Sequence, residues 1–342
     1  MISDAGYPQV NGVVRTLQMV SGQLTRFGHQ VSMITPDQFR TVSCPTYPEI
    51  RLSLNAWPRV GQLIENQRPD SIFIATEGPL GLAARQYCRS NGLRFTTSYS
   101  TRFPEYIRLR VPIPEGWTFK FFRWFHTAAD AVMVPTDSLR RDLENQGIRN
   151  TVLWSLGVDT DLFRPSAANC FRDLPRPVLI YVGRVAVEKN LEAFLSLPNE
   201  GTKVVVGDGP ARAHLEKTFP KAVFVGEKHG QELADHYAAG DVFVFPSKTD
   251  TFGLVLLEAL ACGTPVAAYP VTGPRDVVTS NKVGVLGQDL AQAVNRALML
   301  DRRDCREFAL KCTWESCAVT LTRYLGNNRP VWSDRPPSRG SA

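Results

Sequence analysis

Short β-branched apolar runs alternate with helix-spaced segments from one end of the chain to the other. In the first half, 31–35, 71–75, 95–98 and 131–135 read as strands. In the second half, 178–182, 203–206, 223–225, 242–245 and 265–269 read the same way. Between them, 12–27, 80–91, 137–146, 231–239 and 252–262 place apolar residues at helical spacing among good helix formers. Such alternation predicts an α/β fold of parallel sheets with crossover helices, each unit Rossmann-like.

At 342 residues the chain exceeds what one hydrophobic core usually serves, so two domains are expected. The stretch 161–177 is rich in Pro, Asn and Asp, lacks periodicity and reads as a linker. It separates a domain at 1–160 from one at 178–312, with the cleft between them as the default ligand site. A helix at 313–326 closes the fold, and 327–342, with three prolines and no apolar pattern, is expected to be disordered. The first strand is unusual. Only Met1, Ile2 and Ser3 precede the loop 4–11. Either that strand is truncated, or the sequence starts downstream of the true beginning.

Composition narrows the function classes. Hydrophobic content of 43% and charged content of 21% describe an ordinary globular protein. The net charge is +6 with pI near 9.0, and 18 basic against 14 acidic side chains lie up to residue 165. That excess suits nucleic acid, anionic lipid or phosphorylated ligands. No basic run or nucleic-acid motif is present, so nucleic acid is not an expected partner. Seven cysteines, at 44, 88, 170, 262, 305, 312 and 317, include no Cys-x-x-Cys. They read as free thiols of a reducing compartment, several of them core residues, not as a disulfide framework or zinc site. No basic-then-apolar leader opens the chain and no stretch approaches ~20 apolar residues. A cytoplasmic protein is expected, able at most to touch a membrane from its inner face.

Three segments could carry chemistry. After the strand at 178–182 come Gly183 and Arg184, with Lys189 five residues on, just before a helix. Two fixed cations off a strand end suit a diphosphate leaving group, though two exposed cations flanking a loop would look the same. Gly207 and Gly209 follow the strand at 203–206, where a glycine turn lets a planar ring approach the backbone or simply joins strand to helix. Asp250 then precedes Phe252, Gly253 and Leu254, where a helix opens and its free N–H groups can take an anion. Glu258 lies two turns along that helix among Leu and Ala, where a carboxylate requires a partner. The bland alternative is an N-cap Asp with a solvent-facing Glu.

In this order and spacing, Gly183-Arg184…Lys189-Asn190, Gly207-Asp208-Gly209-Pro210, the Asp250–Glu258 pair and Gly263-Thr264-Pro265-Val266 resemble the GT-B retaining glycosyltransferases of family 4. The N-terminal segment around Pro8–Thr16 and the run Phe103-Pro104-Glu105-Tyr106 are similar to the branch of GDP-mannose-dependent α-mannosyltransferases and lipid-directed glucosyl- and sulfoquinovosyltransferases. The resemblance implies two Rossmann-like domains facing across a deep cleft, an acceptor domain first and a donor domain second. It implies that Arg184 and Lys189 hold the diphosphate and that the amides of Phe252, Gly253 and Leu254 face phosphate and sugar. It places Asp250 where the family's first carboxylate, usually Glu, touches the donor sugar. Glu258 would take the ribose hydroxyls, and Gly12 would let the N-terminal loop approach the diphosphate. No metal cofactor is implied, and the leaving phosphate would accept the acceptor's proton. Ser100 stands where relatives carry a histidine near the donor sugar; a hydroxyl can bond a sugar but offers no imidazole.

The other histidines do not replace it. His126 lies on an aromatic helical stretch and reads as a packing residue. The surrounding run 102–126 interleaves eight aromatics with five basic and two acidic residues. It suits an anionic membrane surface or, equally, a helix packing its aromatics inward. The leading expectation is therefore an enzyme that moves a mannose- or glucose-type hexose from GDP-mannose or a UDP-hexose to a lipid or glycan. The alternatives are a catalytically impaired nucleotide-sugar-binding protein and a GT-B-fold sugar-nucleotide epimerase.

Overall fold

The computed structural model describes residues 1–6, 12–44, 47–100, 115–167 and 170–326. The chain forms two compact units, one of Met1–Ser155 with the residues from Glu315 on, the other of Leu156–Trp314.

The first unit runs α1 (Gly12–Arg26), β1 (Thr41–Cys44), β2 (Tyr47–Ser53), α2 (Ala56–Gln67), β3 (Phe73–Ile74), α3 (Pro79–Ser90), β4 (Thr96–Ser98), α4 (Glu115–His126), β5 (Ala131–Val134), α5 (Asp137–Asn145) and β6 (Thr151–Leu153). Strands β3-β4-β5-β6 form a parallel sheet in that order. The chain start extends it by a single residue. Ile2 bridges Ile34 on one side and Ile74 on the other, both in parallel sense. Its N–H donates to Phe73 O (2.8 Å) and its C=O accepts from Ala75 N–H (2.8 Å). Ile2 is thus one paired residue of this sheet, and the strand expected at 31–35 is a bridge at Ile34.

Two elements escape the apolar pattern. β1 and β2 form an antiparallel hairpin, Thr41 opposite Ser53 and Val42 opposite Leu52. Its sequence has few apolar residues and two prolines. Helix α2 contains Pro58, which reads as a helix breaker. It sits in the first turn, where backbone amides have no helical acceptor to lose.

The second unit runs β7 (Val178–Val182), α6 (Leu191–Leu195), β8 (Thr202–Val206), α7 (Arg212–Thr218), β9 (Val223–Gly226), α8 (Gly230–Ala239), β10 (Val242–Phe245), α9 (Leu254–Ala261), β11 (Val266–Ala268), α10 (Pro274–Val277), β12 (Gly284–Leu286), α11 (Leu290–Ala297) and α12 (Arg302–Ala309). Its six parallel strands are ordered β12-β11-β10-β7-β8-β9. Successive residues enter opposite cores: Ile180 and Val182 pack with Val204 and Phe243, while Leu179 and Tyr181 pack with Val205 and Val244. A sheet covered on both faces needs strands apolar throughout, which is why these runs were legible as continuous hydrophobic stretches.

The division between the two compact units falls at Ser155–Leu156. Phe163 and Phe171 are buried in the second core, and Arg306 donates to the carbonyls of Thr160 (3.0 Å) and Phe163 (2.7 Å). Isolated apolar anchors without periodicity look like a linker in sequence. The closing helix α13 (Trp314–Gly326) belongs, from Glu315 on, to the first unit. Trp154 Nε1–H donates to Cys317 O (3.0 Å) and Ser71 Oγ to Leu325 O (2.9 Å). The tail 327–342 and the run 102–114 lie outside the described residues.

Cys88, Cys262, Cys305 and Cys317 are buried free thiols, and burial pushes each up to about 12. Cys170 is exposed. Since the thiolate is the reactive form, a water-soluble alkylating reagent at neutral pH is expected to label Cys170 in the native chain and those four only after denaturation. Mass spectrometry of native and denatured digests checks this; rapid native labelling of Cys262 would contradict the packing.

Candidate functional site: a loop cluster at the carboxyl ends of β7, β8 and β10

Strand order reverses between β7 and β10, so the crossovers that leave their carboxyl ends diverge. Such a switch point is where open α/β sheets take ligands. The loops of interest emerge there.

The β7 loop is built by backbone approach. Gly183 has φ +146 and donates its N–H to Val206 O (3.0 Å). Tyr181 Oη donates to Arg184 O at 2.9 Å. Burial, then the charges of Asp250 and Glu188, raise this phenol well above its usual range, so it stays a neutral donor. Val185 is buried and ties the loop to its neighbour, donating to Asp208 O (2.8 Å) and accepting from Ala211 N–H (3.0 Å). The side chain of Arg184 is left exposed.

Gly207 and Gly209 serve this approach. Their φ values are +141 and +156. A Cβ on Gly207 would stand 2.0 Å from Gly183 O, and one on Gly209 2.4 Å from Val185 O. The expectation of room for a planar ring is therefore redirected: what comes close in the structure is the β7 loop itself.

A short 3-10 turn, Val187–Lys189, then delivers Lys189 and Asn190. Asn190 adopts the left-handed conformation that Asn tolerates, and its Nδ2 donates to Pro246 O (3.1 Å), tying this loop to the one after β10. Lys189 Nζ donates to Asp250 Oδ1 at 2.6 Å, both side chains partly buried at 22% and 18% exposure. Asp250 Oδ2 is buried and accepts no hydrogen bond from any described residue. The loop's position is fixed from behind by Gly273 (φ +90), where a Cβ would stand 2.8 Å from Asp250 O and 3.2 Å from Phe252 O.

Phe252 is buried, and Gly253 (φ +83) is the N-cap of α9, its carbonyl accepting from Leu256 N–H (3.0 Å). The amides of Leu254 and Val255 lie in the first turn, where a helix leaves its donors without helical acceptors. Glu258, four residues into α9, is only 3% exposed. Its Oε2 accepts from Tyr237 Oη of α8 at 2.9 Å. Glu258 is therefore a buried, partnered carboxylate and not a solvent-facing one.

Gly183, Arg184, Lys189, Gly207, Gly209, Asp250, Phe252, Gly253, Leu254 and Glu258 all belong to this loop cluster and its helix α9 in the second unit. Gly12, the first residue of α1 with nothing within 4 Å of a Cβ, and Ser100, just past β4, belong to the first unit. Tyr181, Tyr237 and Gly273 support the site although no motif marks them, and Asn190 of the Lys189-Asn190 motif supports it as well. Tyr237 sits on the buried face of an amphipathic helix, where nothing in the sequence distinguishes a hydrogen-bonding ring from a packing one.

Tyr237→Phe keeps the ring and removes the hydroxyl that serves Glu258. The expected loss is about 1–3 kcal/mol of stability, the cost of a buried acceptor deprived of a donor. Urea denaturation checks it; an unchanged midpoint would mean that the Tyr237–Glu258 bond is not formed.

The comparisons agree with the geometry. The model of Glycosyltransferase Family 4 matches residues 10–162, and that of Glycosyl transferases group 1 matches 176–300. A GDP-mannose-dependent alpha-mannosyltransferase of Mycobacterium tuberculosis is 32% identical over 84% of this chain and 82% of its own length. A sulfoquinovosyl transferase of Arabidopsis thaliana is 31% identical over 97% of this chain and 73% of its own. The solved sucrose-phosphate synthase of Thermosynechococcus elongatus superposes with a TM-score of 0.73 at 22% identity, covering 92% of each chain. Two parallel α/β units, a switch-point loop cluster and these matches together place the chain in glycosyltransferase family 4, as a hexosyltransferase on the GT-B fold.

Proposed function

We propose that the loop cluster of the second unit is the donor site of a retaining enzyme that moves a mannose- or glucose-type hexose from a nucleoside diphosphate to a lipid or glycan. The observation that carries this reading is the Lys189–Asp250 pair with Asp250 Oδ2 left buried and unpartnered. A buried carboxylate oxygen without a donor is costly unless a ligand supplies one, and a sugar hydroxyl does. Lys189 then serves twice, fixing Asp250 and, with Arg184, offering positive charge where the diphosphate leaves. The first-turn amides at Gly253–Val255 add donors and the positive end of the α9 dipole. Glu258 takes the ribose hydroxyls, Ser100 a sugar hydroxyl, and Gly12 gives the diphosphate close approach. With two cations and a helix N-terminus at the leaving group, transfer needs no metal, so excess EDTA is expected to leave turnover unchanged. The name of one relative, a GDP-mannose-dependent alpha-mannosyltransferase, supports GDP-mannose as donor, with a UDP-hexose as the alternative.

An anionic membrane surface on the cytoplasmic side is the proposed working location. Helix α4 exposes Phe121 (37%) and Trp124 (52%) beside the basic Lys120 and Arg123, and the Arg85 guanidinium lies 3.6 Å over the Trp124 ring. Exposed aromatics interleaved with cations suit the headgroup region. No described helix is long and apolar enough to cross a membrane.

A thermal-shift series with GDP, UDP and ADP tests the donor reading. A ligand that binds only the folded chain raises Tm with concentration. One nucleoside diphosphate is expected to do so. No shift with any of them, followed by no hydrolysis of GDP-mannose or UDP-glucose, would count against it.

A further inference from the structure

The first unit holds a polar device that the donor site does not use. Ile74 of β3 and Thr97 of β4 are paired in register, and Glu77 and Ser100 each stand three residues beyond that pair. Both leave the sheet at its carboxyl edge, the edge from which parallel α/β sheets take ligands. The segment carrying Glu77 is held on both sides. Buried Asp4 accepts from Thr76 Oγ1 (2.8 Å) and from the amides of Leu80 (2.8 Å) and Gly81 (3.3 Å). A Cβ on Gly78 would stand 2.5 Å from Asp4 Cγ, and one on Gly81 1.9 Å from Thr76 O.

His126, the last residue of α4, is wholly buried against Tyr99, Phe122 and Phe125. Its Nε2 lies 3.1 Å from Glu77 Oε1 and its Nδ1 2.9 Å from Thr97 Oγ1. A carboxylate only accepts, so Nε2 carries the hydrogen toward Glu77, and Nδ1 pairs with the Thr97 hydroxyl. The expected packing histidine is thus also the middle of a three-residue chain that fixes Oε1. The Glu77 side chain is 8% exposed, and its Oε2 accepts from no described residue. Asp4 has a structural task, closing the turn onto α3. Glu77 closes no turn among the described residues, yet its desolvation is costly.

We propose that Glu77 is a substrate-binding carboxylate of the first unit, accepting through Oε2 from a hydroxyl of the acceptor, with His126 as its positioning residue. The proposal deepens the glycosyltransferase reading and rests on it. The acceptor chemistry it calls for is a polyol, either the headgroup of a lipid or the hydroxyls of a glycan.

Competition between glycerol and water for the transferred hexose tests this whatever the natural acceptor. The full chain is supplied with its donor, GDP-mannose or UDP-glucose, in buffer containing glycerol, and glycosyl-glycerol is measured against free hexose. In Glu77→Gln the ratio is expected to fall about tenfold, the worth of a hydrogen bond to a charged acceptor. His126→Gln is expected to lower it in the same direction, with the nucleotide-induced rise in Tm retained as proof of folding. Asp130→Asn, which removes only a surface pair with Arg94, keeps the wild-type ratio. A wild-type ratio in Glu77→Gln would overturn the inference. A folded wild type that consumes neither donor would instead sink the activity on which the inference rests, and the inference with it.

Discussion

Lys189→Ala is expected to lower donor turnover by about 10²–10³-fold, the scale on which loss of one preorganised charge-stabilising group is felt. The fold should survive. The Lys189–Asp250 pair is partly exposed, and such pairs contribute roughly 1 kcal/mol or less to stability. Activity and stability therefore separate, which makes the variant diagnostic. Loss of Lys189 removes a cation from the diphosphate and frees Asp250 Oδ1 from its 2.6 Å partner, so the carboxylate no longer presents Oδ2 in one direction. Lys189→Arg retains the charge but brings a planar fork in place of a point ammonium, and an intermediate loss is expected. Initial rates of nucleotide release, with Tm measured in parallel, check this. Turnover within a factor of about three of wild type, well short of the ~10²-fold loss expected, would remove Lys189 from the site.

Gly207→Ala is expected to cost about 3 kcal/mol or more and to abolish nucleotide binding with it. The added Cβ would stand 2.0 Å from Gly183 O, at a φ of +141 that L side chains rarely adopt. Backbone against backbone leaves no flexible atom to yield, so the β7 loop carrying Gly183 and Arg184 must move. Gly12→Ala makes the contrast. Nothing lies within 4 Å of its Cβ at the start of α1, so stability should hold or rise slightly. A loss of activity there would report the approach of a ligand and not a packing clash. Urea denaturation and a nucleotide titration of both variants check the pair; equal stability of Gly207→Ala and wild type would contradict the loop packing.

How much was legible in the sequence depended on where the information lay. The strands of the second unit are buried on both faces, so each reads as an unbroken apolar run and all five expected there are present. The loops at the switch point were legible because glycines, cations and carboxylates sit at fixed offsets from those strand ends. The hairpin Thr41–Ser53 was not, because Pro45, Pro48 and five Thr, Ser and Arg residues interrupt it and pairing between its strands supplies what the apolar pattern does not. Phe163 and Phe171 are single apolar anchors in a segment of loop composition, so their burial in the second unit was not legible. Partnerships such as Tyr237 with Glu258 and Glu77 with His126 join residues 21 and 49 apart along the chain, a distance that spacing cannot reveal. The sequence located Asp250 and Glu258; the fold shows that Asp250 Oδ1 is committed to Lys189 and Glu258 Oε2 to Tyr237.

Titration calorimetry of GDP and UDP into the wild-type chain and into an Arg184→Ala/Lys189→Ala double variant tests the donor site most directly. One of the two nucleotides is expected to bind the wild type at micromolar concentration and to lose at least about 100-fold in the variant, roughly 2.7 kcal/mol. Failure of both to bind folded wild type, or equal affinity for wild type and variant, would contradict a donor site built on Arg184, Lys189, Asp250 and Glu258.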